Sequence, residues 1–315
     1  MRHLGCALSA VFWIGCAGDS GSSTSKPDPS TTETTTGSGS SSTTETDTDA
    51  PPLLVQLDPV PCDSEAAALP DGWADALTNA GLTKCASPFG VIIGAAEDVP
   101  DAYIRTVAQI VAELLDPDID GVANDTAVLE ALANGRNVWL PMPTNQRSWT
   151  GGVEEELGRT LRSYGIMIPQ WWLGPFRDDG PDDYARAVMV EEVIHAFTQF
   201  GYGRVYPDAF GVNSWQSVIA KETTAAQCDW WQHPENDCPG RPSEGGDCSD
   251  PSCDVTEFYQ QVVVMRAGMT PGWLGIGFPE NRESLEERLS DDIKAVMDNP
   301  DHHQLRAPLT FRYGD

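Results

Sequence analysis

VEEVIHAFTQFGYG, residues 190–203, sets Glu191, Glu192 and His195 inside an otherwise apolar run that ends among glycines. At about 100° per residue, Ala185, Met189, Val193, Ala196, Phe197 and Phe200 share one third of a helix circumference. Val190 and Ile194 widen that face to half. The far side carries a polar stripe of Thr198, Glu191, His195, Gln199 and Glu192, with Glu191 and His195 one turn apart. The pattern predicts a helix from about Asp182 to Phe200, started by GPDD (180–183) and stopped by Gly201. A helix with this much apolar surface is largely buried. A buried carboxylate costs on the order of several kcal/mol unless it is paired or bound to a metal, so the stripe is either a structural Glu–His pairing with His195 as partner or a place for something positive.

Outward from this helix, FGVIIGA (89–95) is an apolar, β-branched run of strand length, and DAYIRTVAQIVAELLD (101–116) has helical spacing. NVWLPMP (137–143) and YGIMIPQWW (164–172) read as two more strands. Pro141, Pro143 and Pro169 favour strand ends or edges there. After the central helix come helical runs at 214–231 (SWQSVIAKETTAAQCDWW), 254–269 (DVTEFYQQVVVMRAGM) and 284–300 (SLEERLSDDIKAVMDNP). Strands and helices in this order predict an α+β domain with a small sheet and a mostly helical C-terminal half. There is no internal repeat, G-x-G-x-x-G, phosphate loop or G-x-S-x-G.

The 315-residue chain begins MRHLGCALSAVFWIGC, a short basic start and an apolar run too short for a permanent bilayer span, which reads as a signal peptide over residues 1–15. Gly15-Cys16 resembles the bacterial lipobox, with Trp13 where that motif prefers Leu, so Cys16 is the expected lipidation site. From Ser20 to Asp49 the chain is Ser, Thr, Gly, Pro and acid apart from Lys26, too poor in apolar surface to offset ordering entropy, and residues 16–50 form a tether. Residues 51–315 are then one globular domain on an exported protein, anchored to a membrane through its N-terminal lipid at the periplasmic face or the cell surface. The net charge of −29 leaves about −25 on that domain, which repels nucleic acid and anionic lipid. Six cysteines follow the tether: Cys62, Cys85, Cys228, Cys238, Cys248 and Cys253. An even number in an exported chain argues for disulfides. Cys62 with Cys85 would staple the start of the domain. The other four, in a stretch without hydrophobic periodicity (228–253), either pair or hold zinc with His233, although paired C-x-x-C knuckles are missing.

The E-E-x-x-H of residues 191–195 resembles the H-E-x-x-H helix of the zincin metallopeptidases, and the preceding order of strand, helix and strands is similar to the minimal zincin domain. The resemblance spans roughly residues 87–230. It implies Glu191 in place of the first histidine ligand, Glu192 as general base and His195 as second ligand. In the gluzincin branch a Glu from a later helix is the third ligand, which implies Glu222. Glutamate for histidine makes the set harder than a usual zinc site and closer to what manganese or iron accepts. Zinc or another divalent transition metal is the implied cofactor, and a peptide or protein the implied substrate.

A second constellation is LLDPDIDGVAND (114–125), where Asp116, Asp118 and Asp120 occupy positions 1, 3 and 5 of a calcium loop, Gly121 position 6 and Asn124 position 9. Position 12 is Ala127, so the loop resembles the truncated dockerin-like or thrombospondin-like form. Two functions remain open at this level. One is a lipid-anchored zincin-like metalloprotein with peptidase chemistry. The other is a non-enzymatic, calcium-stabilised, disulfide-stapled surface lipoprotein that binds other molecules.

Overall fold

A computed structural model describes residues 55–315, apart from 135–137, 150–152, 232–235, 238–240 and 243–250. The signal peptide, Cys16, the tether, His233, Cys238 and Cys248 lie outside the described residues.

The chain is α+β. Strands β1 (Gln56–Pro61), β2 (Leu82–Ser87), β3 (Ile92–Ala96), β4 (Val138–Met142) and β5 (Tyr164–Gly165) form one sheet in sequence order. β1–β2 and β2–β3 are antiparallel; β3–β4 and β4–β5 are parallel. Side chains alternate between two cores. Ile93, Ala95, Leu140 and Met142 face the main core. Leu82, Cys85, Ile92 and Trp139 face a smaller one with Trp73 and Leu77 of helix α1 (Trp73–Asn79) and Leu157 and Leu161 of α3 (Val153–Leu161). Burial on both faces explains why β3 and β4 read as unbroken apolar runs.

Helix α2 (Asp101–Leu115) lies in the main core with Ile104, Val107, Val111 and Leu115 buried. Buried Glu113 accepts from Thr310 N–H (2.6 Å), Thr310 O–H (2.9 Å) and Arg312 N–H (2.9 Å), which ties the C-terminal segment back onto α2. A disulfide joins Cys62, just after β1, to Cys85 of β2, as expected. Closing a loop of that length contributes about 3 kcal/mol in the chain-entropy picture.

The central helix is α4 (Asp183–Ala196), with Asp182 capping it by accepting from Ala185 N–H at 3.0 Å. It does not stop at Gly201. The chain continues as a π-type turn (Phe197–Tyr202) and a further helical turn (Gly203–Val205). Gly201 serves packing instead: a Cβ there would meet Val128 Cγ1 at 3.0 Å. α5 (Val218–Asp229) and α6 (Pro251–Arg266) follow, so Cys228 and Cys253 stand in helical ends rather than in the loop between them. Both are disulfide-bonded. Between the two helices, β6 (Asn236–Asp237) pairs antiparallel with β7 (Arg241–Pro242).

The run at 284–300, expected as one helix, is two: α7 (Arg282–Glu286) and α8 (Asp291–Asp298). Ser290 restarts the helix by accepting from Ile293 N–H, the preferred use of Ser ahead of two acids. The segment at 164–172 pairs as a regular strand only at Tyr164–Gly165. Beyond it, Ile166, Ile168 and Gln170 N–H groups still reach the carbonyls of Trp139, Pro141 and Pro143. Pro141 thus sits inside the sheet and serves as an acceptor toward the short edge strand. No described helix is long and apolar enough to cross a membrane.

Candidate metal centre

From Val188 through Phe200 every residue of the central helical segment is buried, including Glu191, Glu192 and His195 at 8%, 9% and 6% exposure. The polar stripe therefore does not face water. It faces α6, whose Glu257 is 6% exposed. One ligand atom from each of Glu191, His195 and Glu257 lies within 4.8 Å of the others, so this group could hold a metal ion.

The imidazole is bracketed by carboxylates. Its Nε2 stands 3.6 Å from Glu257 Oε2, and its Nδ1 stands 3.4 Å from Glu192 Oε2. Both separations exceed a hydrogen bond of ordinary strength, and neither His195 Nε2 nor Glu257 Oε2 has a hydrogen-bond partner. Glu191 Oε1 accepts from the Trp273 indole N–H at 2.9 Å. Two buried atoms facing each other without a bond are costly unless an ion joins them.

Burial pushes the Glu191 pKa up to about 8, with the Glu192 charge adding to it and the Trp273 hydrogen bond opposing. Burial likewise lifts Glu192 to about 8. Glu257 rises to about 8 through burial, with His195 opposing and the charges of Glu191, Glu192 and Asp254 adding. His195 is held below its ordinary value by burial, against the attraction of Glu257. Three acids and one imidazole are thus buried together, and the group that could hold a metal ion would have to lose protons to do so.

Glu222, the expected third ligand, is not part of this group. Its carboxylate accepts from Ser290 N–H (3.0 Å) and from the Ser290 hydroxyl. It thereby satisfies the first turn of α8, where unpaired N–H groups and the helix dipole favour an anion. Glu257 takes the place assigned to Glu222. The one hint in the sequence is that Asp254, Glu257 and Gln261 are spaced to share a face of this helix, among further polar residues such as Thr256 and Gln260.

The second group is also assembled. Asp116, Asp118 and Asp120 bring carboxylate oxygens within 4.8 Å of one another and could hold a metal ion. Gly121, at φ +88°, turns the loop so that its N–H reaches Asp116 Oδ2 at 2.8 Å. Asp120 N–H (3.2 Å) and the Tyr313 hydroxyl also donate to Asp116. Burial acts to raise the Asp116 pKa, but these hydrogen bonds, with one from Asp118, outweigh it and hold the group below its ordinary value. Asn124, expected at position 9, donates its backbone N–H to Leu115 O at 2.8 Å and closes the loop. Asp125 caps the next helical turn, accepting from Ala127 and Val128 N–H.

No family model matches the chain, and no curated protein or solved structure matches it either.

Proposed function

We propose that this chain is an exported, lipid-anchored, zincin-like metalloprotein that holds a divalent transition metal between α4 and α6. The observation that carries the reading is the facing pair His195 Nε2 and Glu257 Oε2, buried, 3.6 Å apart and unbonded, with Glu191 as the third donor. Two carboxylates and one imidazole are a hard, mixed donor set that suits manganese or iron as well as zinc. With three protein ligands, the metal would supply activation of a bound water for hydrolysis of a peptide-class substrate. The anchor rests on the sequence of residues 1–50, and membrane fractionation of a Cys16→Ala variant checks it.

Glu192 has a different part from the one its motif position implies. It meets Nδ1 of His195, the ring nitrogen turned away from Glu257. A carboxylate on that side, drawn in to hydrogen-bonding distance of Nδ1–H when the metal binds, would fix the tautomer and leave the Nε2 lone pair for the metal. Orientation of the ligand is therefore the role the geometry favours over that of a base beside the metal. The Glu192→Gln variant tests this, since the amide keeps an acceptor but loses the charge. Metal affinity is expected to fall about 10- to 100-fold. A base outside the ligand set would leave affinity unchanged and remove hydrolysis alone.

Calcium at Asp116, Asp118 and Asp120 is the second part of the proposal, and its role is stability. The site ties α2 to the C-terminal segment through Tyr313, so an ion there would fasten both. Millimolar calcium is expected to raise the melting temperature, because a ligand bound only by the folded state stabilises it. An equal rise in Asp118→Ala and Asp120→Ala would place the ion elsewhere.

A further inference from the structure

The loop after α6, TPGWLGIGF (270–278), lies against the candidate centre, held by two hydrogen bonds and two close backbone approaches. Trp273 Nε1 donates to Glu191 Oε1 on α4 at 2.9 Å. Gly275 N–H donates to Gln261 Oε1 on α6 at 3.1 Å. A Cβ on Gly275 would come within 2.0 Å of Trp231 Nε1, and one on Gly277, at φ +82°, within 2.0 Å of Trp230 O. These two glycines let the loop lie flush on the end of α5. Gly272 is the third: a Cβ there would stand 3.0 Å from Glu191 Oε2. Both oxygens of Glu191 are therefore addressed by adjacent residues of one loop. Oε1 is held by an indole donor, and Oε2 is left clear because residue 272 has no side chain. The loop also forms the outer wall here. Leu274 is 36% and Ile276 71% exposed, whereas Glu191 beneath is 8% exposed.

We propose that residues 271–277 are a clamp that sets the carboxylate of Glu191 for metal binding, with Trp273 as a positioning residue and Oε2 as the ligand atom. The inference rests on the metal reading above and adds the device that orients one of its ligands. Free rotation of a glutamate side chain is costly to arrest on binding. A carboxylate already fixed by a partly buried indole meets the ion with that cost removed, which is the general effect of partners behind metal ligands. The donor must be neutral and must not itself ligate, and an indole N–H meets both conditions.

The test is cobalt(II) or zinc titration of the full protein, in chelator-free buffer with millimolar calcium filling the acid loop, in wild type, Trp273→Phe and Gly272→Ala. Phenylalanine keeps the ring and removes only the donor. The expected result is one tight site in wild type and an affinity about 10- to 100-fold weaker in Trp273→Phe, with an altered cobalt absorption spectrum. Gly272→Ala leaves the indole in place and is expected to weaken binding by crowding Oε2, so it tests the clamp should Trp273→Phe fail to fold. A purely structural loop would lower the melting temperature and leave the affinity and the spectrum of the surviving folded protein unchanged. Wild-type affinity and spectrum in both variants overturn the clamp and spare the metal site. A wild-type protein that takes up neither ion overturns the metal reading and the clamp with it.

Discussion

Alanine at Glu257 or at His195 is expected to abolish transition-metal binding, whereas alanine at Glu222 leaves it intact. The three variants separate further in stability. His195→Ala removes the buried imidazole that stands between Glu192 and Glu257, and leaving buried polar groups without a partner costs about 1–3 kcal/mol. Glu257→Ala does the reverse in the metal-free protein. It removes one of three crowded acids, so the metal-free variant is expected to match or exceed wild type in stability while losing the stabilisation that metal brings. Glu222→Ala unfastens the start of α8, where it accepts from Ser290 N–H and O–H. Losing hydrogen bonds to a charged group costs about 1.5–3 kcal/mol, with no change in metal content. Denaturant midpoints with and without metal, alongside metal content, read all of these. Metal retained by Glu257→Ala, or lost by Glu222→Ala, would return the third ligand to the helix the motif first implied.

The metal-free protein is expected to be less stable at pH 8 than at pH 5. Glu191, Glu192 and Glu257 have folded pKa values near 8 because burial disfavours their charged forms, against ordinary values near 4.5. Between those limits the folded state holds more protons than the unfolded state, so stability falls as pH rises through that window. His195 acts in the opposite sense: its folded pKa is depressed by burial, so its contribution is lost as pH falls below about 6.5. Three acids against one imidazole set the net direction. Metal reverses the trend, because binding needs deprotonated ligands and releases protons. Apparent affinity is then expected to rise with pH across the same window, about tenfold per unit for each proton displaced. Melting curves from pH 5 to pH 8 with and without metal check this. A metal-free stability that rises with pH over this range would mean that the acids are already neutralised by another partner.

What the sequence disclosed follows how local each signal is. Glu191 and His195 were legible because both lie on one turn of one helix, and their burial followed from the apolar face around them. The α+β class was legible from strand-like and helix-like periods at 89–115. Glu257 was not, because its relation to His195 depends on how α6 packs across α4, and Glu222 matched the motif's spacing equally well. Gly201 reads identically whether a helix ends there or packs closely on Val128, and only the neighbour decides. β1 and β2 escaped notice because QLDPVP holds two prolines and LTKCAS lacks an alternating pattern. The acid loop assembled as its spacing implied, since Asp116 and Gly121 make a local turn that needs nothing distant to form. Its tie to Tyr313, from the opposite end of the chain, was invisible in the sequence.

On this reading α4 and α6 together hold one transition-metal ion. Elemental analysis of the purified protein measures this, after loading with zinc, manganese or iron and exhaustive dialysis against chelator-free buffer with millimolar calcium present to fill the acid loop. Close to one transition-metal ion per chain is expected. Protein that retains none of the three metals would contradict it.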